Sequence, residues 1–367
     1  MEDLFLVIPN PNPSKDLNNM INKFCENFSK VTKIANSDNL LNLKNKKILF
    51  AIEVGFSGID LYMWSFLENL KIKEKDFFYD STAALLVHSA TELFTKDVCQ
   101  DLIFITNSLG CRFIGHPMIE ATGSFKNFLT WQKTLTMPLE NICLDLCHKL
   151  GERLLSYTSK HIKSPKITAL YSSPHTFSNT LSLWHMASCE LKEYDINEIQ
   201  IENGKVQDCK GCSYKMCLHY GKQNSCFYGG FMVENILPAI EKSDIVVWLC
   251  PNYNDAISSN ISATINRLTV LYRKTNFYEK YLLGIIVSGN SGSDSVGKQL
   301  IGALNINKGF LLPPYALLME TANDPDAIFK IPNIKEKAEE FALNIKKLIA
   351  NKLKIFRLIC LYLIDIL

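Results

Sequence analysis

The stretch Lys166-Ile-Thr-Ala-Leu-Tyr-Ser-Ser-Pro-His-Thr-Phe-Ser-Asn-Thr180 decides how the second half of the chain is read. Ile167–Tyr171 is a short apolar run of the kind that forms a buried strand, and Thr180–Cys189 continues with helical spacing. The connection from Ser172 to Thr180 has no glycine but carries hydroxyls at Ser172, Ser173, Thr176, Ser178 and Thr180. A turn of this kind between a strand and a helix start suits a phosphate, because free backbone N–H groups of the first helical turn point at it and the hydroxyls add donors. An ordinary helix cap accounts for Asn179 or Thr180 on its own; the number of hydroxyls favours the phosphate reading. Without glycines, neither the dinucleotide fingerprint nor a Walker loop fits.

Outward from this stretch, short apolar runs alternate with helices. Ile196–Ile201 is a strand closed by Asn203–Gly204, Phe231–Glu241 a helix, Ile245–Cys250 a strand and Ser259–Tyr272 a helix. Leu282–Val287, Ser295–Leu304, the short strand Phe310–Leu312 and the amphipathic helix Ile334–Leu353 complete the series. The alternation predicts an α/β fold, a doubly wound five-stranded parallel sheet covered on both faces. Ligands of such sheets bind beyond the carboxyl ends of the strands, where the strand order reverses. Two more loops leave strand ends. Pro251-Asn252-Tyr253-Asn254-Asp255-Ala256 offers a tyrosine and amides to a flat aromatic ligand, although the same residues also favour plain turns. In Ser288-Gly289-Asn290-Ser291-Gly292-Ser293 the glycines allow close backbone approach, and the composition is equally that of a surface loop.

The first half has a weaker pattern. Met1 to Lys46 is polar and rich in Asn and Lys, with a helical spacing at Leu17, Met20, Ile21 and Phe24. Ile48–Val54 and Ala83–Val87 are strand candidates, Leu61–Leu70 a helix, and Met137–Ser159 a helix leading into a linker, Lys160–Pro165. Lys47–Ala51 matches Lys166–Leu170 in pattern, and Ala83–Leu109 matches Ile245–Tyr272. This makes residues 1–160 a second, smaller α/β domain, either a degenerate copy of the other or an unrelated one. Residues 165–353 form the second domain and 354–367 an apolar tail.

Together the three loops resemble those of the NADPH-dependent FMN reductase and iron–sulfur flavoprotein families, which share the flavodoxin fold. The first is similar to the family's Ser-Pro-Arg-x-x-Gly-Asn-Thr phosphate loop at Ser173, Pro174, Asn179 and Thr180; His175 stands where arginine is usual and Ser178 where glycine is. Pro251-x-Tyr253 is similar to the family's turn against the isoalloxazine. In the next helix Asn266-Arg267 stands for the usual Asp-Arg, with Thr264 near the position of a lysine. The resemblance covers Lys166 to Ala322. It implies FMN bound by Ser172, Ser173, His175, Ser178, Asn179, Thr180, Pro251, Asn252, Tyr253, Asn254, Asp255, Ser288, Gly289 and Asn290. It also implies NAD(P)H as co-substrate and an unidentified electron acceptor. Because the flavin carries the chemistry, no catalytic side chain is nominated. The rival class is a non-enzymatic flavin electron carrier or redox sensor, and a third reading is a binding module with a vestigial flavin site.

Of twelve cysteines, eight are scattered and most of those read as core filler. Cys209-Lys-Gly-Cys212, Cys217 and Cys226 fall together. The iron–sulfur flavoproteins carry a four-cysteine motif at this place, with a shorter middle and last spacing, so the resemblance implies an iron–sulfur cluster. Structural zinc and free thiols remain open beside it. The formal net charge is +2 with only five arginines, which speaks against nucleic-acid or anionic-membrane partners. Met1–Asn10 lacks a basic start, and the apolar run Ile355–Leu367 is shorter than the roughly 20 residues of a membrane span. The expectation is a cytoplasmic protein whose first half packs on the flavin domain or forms the interface of a homo-oligomer.

Overall fold

A computed structural model of the chain describes residues 3–36, 43–71, 76–159, 162–172 and 177–349. It separates into two units: unit 1 comprises residues 1–157 and 305–314, unit 2 residues 158–304 and 315–367.

Unit 1 runs β1 (Asp3–Val7), α1 (Lys15–Cys25), β2 (Lys30–Ile34), β3 (Lys47–Val54), α2 (Leu61–Lys71), β4 (Thr82–Ser89), α3 (Thr95–Asn107), β5 (Arg112–Thr122), α4 (Leu129–Leu135) and α5 (Leu139–Ser156). Its strands are parallel in the order β2-β1-β3-β4-β5. Every residue of β4 is buried, as are Ile48 to Ile52 of β3, because a central parallel strand is covered by helices on both faces. One of those faces is closed by α1 and α5, which bury Leu17, Met20 and Phe24 among Cys143, Cys147, Leu150 and Leu154. At Gly151 a Cβ would stand 2.7 Å from the Phe24 carbonyl, so only glycine allows this approach.

Two strands lie in the segment read as merely polar. With β1 and β2 present, Lys47–Val54 is the third strand of unit 1 and Thr82–Ser89 the fourth, so the expected matches of Lys47–Ala51 to Lys166–Leu170 and of Ala83–Leu109 to Ile245–Tyr272 do not hold. Asp3–Val7, not Lys47–Ala51, occupies the position of the first strand of unit 2.

Unit 2 runs β6 (Lys166–Tyr171), α6 (Asn179–Cys189), β7 (Asp195–Gln200), α7 (Tyr214–Gly221), a π-helical turn Met232–Ile236 leading into α8 (Leu237–Lys242), β8 (Ile245–Pro251), α9 (Ser259–Arg267), α10 (Thr269–Tyr272), β9 (Tyr281–Ser288), α11 (Ser293–Leu300), β10 (Leu317–Thr321) and α12 (Ile334–Ile349). The parallel order is β10-β9-β8-β6-β7. Numbered within each unit, both sheets read 2-1-3-4-5, the flavodoxin-like winding. The α/β expectation for unit 2 therefore holds, with one correction: its fifth strand is Leu317–Thr321, not Phe310–Leu312.

Phe310–Leu312 belongs to unit 1. Leu312 pairs antiparallel with Phe113 through N–H···O bonds of 2.9 and 3.0 Å. The buried Asn107 amide donates to the Pro313 carbonyl (2.6 Å), and His116 Nδ1 to that of Ile306 (2.7 Å). The fully buried Asn305 donates to the carbonyls of Ile114 (3.1 Å) and Phe310 (2.6 Å). Among the described residues no helix is long and apolar enough to cross a membrane; the apolar tail lies outside them. Replacing Asn305 by alanine removes the donor to two carbonyls, and each lost hydrogen bond in a buried site costs about 1–3 kcal/mol. A loss of about 2–4 kcal/mol is therefore expected in denaturant unfolding of Asn305→Ala.

Candidate functional site

In a 2-1-3-4-5 sheet the order reverses between the first and third strands, which in unit 2 are β6 and β8. The loops leaving these two strands meet there: the Ser258 hydroxyl donates to that of the buried Ser172 (2.9 Å). Ser178 caps α6, its hydroxyl oxygen accepting from the Leu181 N–H (3.2 Å). Thr180 is buried in the first turn. Ser173 and His175 lie outside the described residues. Asn179 is engaged with the chain itself. Its amide donates to the carbonyls of Ala322 (3.0 Å) and Asp324 (2.9 Å), and its carbonyl accepts from the Ile328 N–H (3.4 Å). It ties the first loop to the one that follows β10.

The second loop is a tight turn. Tyr253 and Ala256 exchange N–H···O bonds, while Asn254 (φ +54°) and Asp255 (φ +55°) are both left-handed, which Asn and Asp tolerate better than most residues. Asn252 is the hub of the site. Its amide donates to Asp255 Oδ1 (3.1 Å), the Ser288 hydroxyl (3.1 Å) and the Ser291 carbonyl (2.9 Å). One side chain thus joins the loops after β8 and β9, and the Ser288–Ser293 hydroxyl pair (2.6 Å) braces the latter. The Asn252 carbonyl oxygen is buried with no hydrogen-bond partner among the described residues.

These loops enclose a cavity of about 390 Å³ lined by Asn252, Asn254, Asp255, Gly289, Asn290 and Asn323. Of the expected residues, the second and third loops come together here with Pro251 at the strand end, and Tyr253 stays 45 % exposed beside it. Asn323 was not foreseen, because it follows the true fifth strand; the alternation in Leu317–Thr321 is too short to mark it. A larger groove, about 540 Å³, lies along the edge of β7 and the loop after it, beside Phe231–Lys242.

The cysteine excursion between β7 and the π-helical turn is fastened to α9. Asn260 donates to the Ile201 carbonyl and to Asn203 (both 2.8 Å), and Asn266 donates to Asp208 (2.9 Å). The buried Arg267 donates to the Gly229 carbonyl (2.9 Å). Asn266 and Arg267 are therefore struts of this excursion. Cys217 lies within α7, and among the described residues no group of three or more His, Cys, Asp or Glu side chains is placed to hold a metal ion. The structure does not bring Cys209, Cys212, Cys217 and Cys226 together as ligands. The expected iron–sulfur or zinc site does not fit this arrangement.

The corresponding end of unit 1 has the opposite character. Glu53, near the end of β3, accepts the backbone N–H of Ser14 (2.9 Å), the residue that caps α1, and pairs with Nδ1 of the buried His88 (2.5 Å). A protein carboxylate thus occupies the helix N-terminus where a phosphate would bind. Burial pushes the Glu53 carboxyl up, but the hydrogen bonds from His88 and Ser14 outweigh it and hold the group below its ordinary value.

Residues 165–324 match the family model described as NADPH-dependent FMN reductase, so unit 2 is a flavodoxin-like domain that resembles this family. Three solved structures share the pattern at low identity. RosB, with bound 8-demethyl-8-formylriboflavin-5'-phosphate, is 14 % identical over 50 % of this chain and 79 % of its own, with a TM-score of 0.39. The NAD(P)H:quinone oxidoreductase of Methanothermobacter marburgensis is 13 % identical over 50 % and 96 %, at 0.38. The rubredoxin oxygen:oxidoreductase of Desulfovibrio gigas is 14 % identical over 58 % of this chain, which spans 42 % of that protein, at 0.33. No curated protein sequence matches the chain.

Two outcomes follow from this geometry. Gly292 has φ +86°, and a Cβ on it would stand 1.9 Å from Asp255 Oδ1 and 2.9 Å from Asn252 Nδ2. Gly292→Ala is expected to displace the second loop and to cost at least about 1 kcal/mol in thermal unfolding from the left-handed backbone alone. Glu53 has a lowered folded value, so its contribution to stability is present above the unfolded value of about 4.3 and is lost as pH falls through the folded one. Glu53→Gln is expected to be about 1–3 kcal/mol less stable at neutral pH and to lose this acid limb in denaturation midpoints measured against pH.

Proposed function

We propose that unit 2 binds FMN at the loops after β6, β8 and β9 and acts as an NAD(P)H-dependent oxidoreductase. The observation that carries this reading is the polar cavity formed by the loops after β8, β9 and β10 at the carboxyl ends of a 2-1-3-4-5 sheet, in the segment that matches the FMN reductase family. The residues present fit the group. The partnerless Asn252 carbonyl lacks a donor, and a flavin ring edge carries an N–H. The amides of Asn254, Asn290 and Asn323 surround the same space.

Ser173, Ser178 and Thr180, with the first N–H groups of α6, would take the phosphate. Asn179 positions this loop by holding the segment after β10. The Asn252 amide fixes the separation of the second and third loops, so the ring site is set before a ligand arrives. Bound FMN supplies hydride acceptance from a reduced nicotinamide and electron delivery to an acceptor. A metal cluster forms no part of this reading. Unit 1, whose corresponding position is filled by Glu53, takes no flavin. The protein works in the cytoplasm.

Anaerobically purified protein is expected to show an oxidised-flavin spectrum, one FMN per chain by mass, and bleaching on addition of NADPH. Released FAD, two flavins per chain, or a colourless protein that takes up no FMN overturns the reading. Bleaching by a chemical reductant but not by NADPH or NADH leaves a carrier rather than an enzyme. The double variant Ser173→Ala, Thr180→Ala removes two hydrogen bonds to a charged group, so FMN affinity should fall at least about tenfold in a fluorescence titration.

A further inference from the structure

The cysteine excursion is outside the flavin cavity, and its thiols are not gathered for a metal. They nevertheless differ from the buried cysteines of the chain. Cys99, Cys111, Cys143, Cys147 and Cys250 are buried, and burial pushes the thiols of Cys99, Cys111 and Cys250 far up, which leaves them inert. Cys209 is exposed, and Cys212 and Cys226 are half-buried. Cys209, Cys212 and Cys226 all neighbour the Tyr228 hydroxyl, which is hydrogen-bonded to Cys212. Its value is raised, first by desolvation and then by these thiols. Cys217 is not among those neighbours.

Between Cys209 and Cys212 the chain turns at Gly211, which is left-handed (φ +66°) with open space around its Cα. A C-x-x-C pair in an α/β protein, turned on a glycine and open to solvent, is a dithiol suited to two-electron exchange. Its position is fixed: Asp208 accepts the Cys209 N–H (2.6 Å) and the Asn266 amide (2.9 Å), so the pair hangs from α9. That helix follows the loop whose Asn252, Asn254 and Asp255 line the cavity.

We propose that Cys209 and Cys212 form a thiol–disulfide pair that passes electrons to a disulfide substrate. This rests on the flavin reading for the source of the electrons. The exposed Cys209 thiolate attacks one sulfur of the substrate disulfide; that S–S bond breaks, a mixed disulfide forms and the first substrate thiolate leaves. Cys212 then attacks the Cys209 sulfur, which closes the protein disulfide and releases the second substrate thiolate. The protons lost by the two cysteines go to the two released thiolates. When bound and reduced, the flavin would supply the two electrons and two protons that return the protein disulfide to two thiols.

The test uses the full chain and oxidised glutathione as the probe. Treated protein is expected to lose two thiols, with a Cys209–Cys212 link in the peptide mass map. Cys212→Ser should instead stop at a stable glutathione adduct on Cys209, a result that a purely structural cysteine does not give. Cys226→Ser should keep the link. Adducts scattered over several cysteines, no reaction, or an unchanged product in Cys212→Ser overturns the pair. Anaerobic NADPH should then restore both thiols in flavin-loaded protein; a persistent disulfide overturns the electron path. The flavin reading is scored separately by the absorption spectrum, whereas the link is scored by mass whatever the spectrum shows.

Discussion

Parallel pairing of the central strands constrains everything else in this protein. A parallel strand cannot be followed by a tight hairpin, so each connection crosses back over a face of the sheet, and all strand-end loops of a unit fall on one edge. Helices on both faces then bury β3, β4, β8 and β9 almost completely. With the order 2-1-3-4-5, the loops after the first and third strands diverge at the reversal and leave a space between them. In unit 2 the Ser172–Ser258 contact joins the loops after β6 and β8 at the reversal, and the Asn252 amide ties the loop after β8 to the one after β9 beside the cavity.

The two units show how one backbone plan can carry opposite electrostatics. In unit 2 the strand ends present mostly hydroxyls and amides, with Asp255 the one carboxylate among the lining residues of the cavity. In unit 1 the N-terminus of α1 is satisfied by Glu53, which is held by Ser14 and His88. A second anion brought to that position would meet a carboxylate already in place. The winding is shared; the ligand chemistry belongs to the side chains at the strand ends.

The struts from α9 give the cysteine excursion a defined place. Asn260, Asn266 and Arg267 lie along one helix and hold its entry, its C-x-x-C turn and its exit. The excursion is thereby linked to the loop after β8 through a rigid element instead of hanging freely.

By itself the sequence determined the α/β class and the central strands of unit 2, since uninterrupted apolar runs such as Ile245–Cys250 and Leu282–Val287 admit few other placements. It also exposed the loop motifs, because each is contiguous in the chain. Edge strands were hidden. β2 is mostly exposed and reads as polar, and β10 has only five residues, so the more apolar Phe310–Leu312 drew the assignment. Only the tertiary structure could decide that Phe310–Leu312 pairs with Phe113, that the Asn179 amide holds the segment after β10, that Asn323 joins the cavity, and that the four cysteines close in sequence are not placed among the described residues as a set of metal ligands. Each of these depends on partners far away in the chain or on the direction in which a helix carries its side chains, and neither is encoded in local spacing.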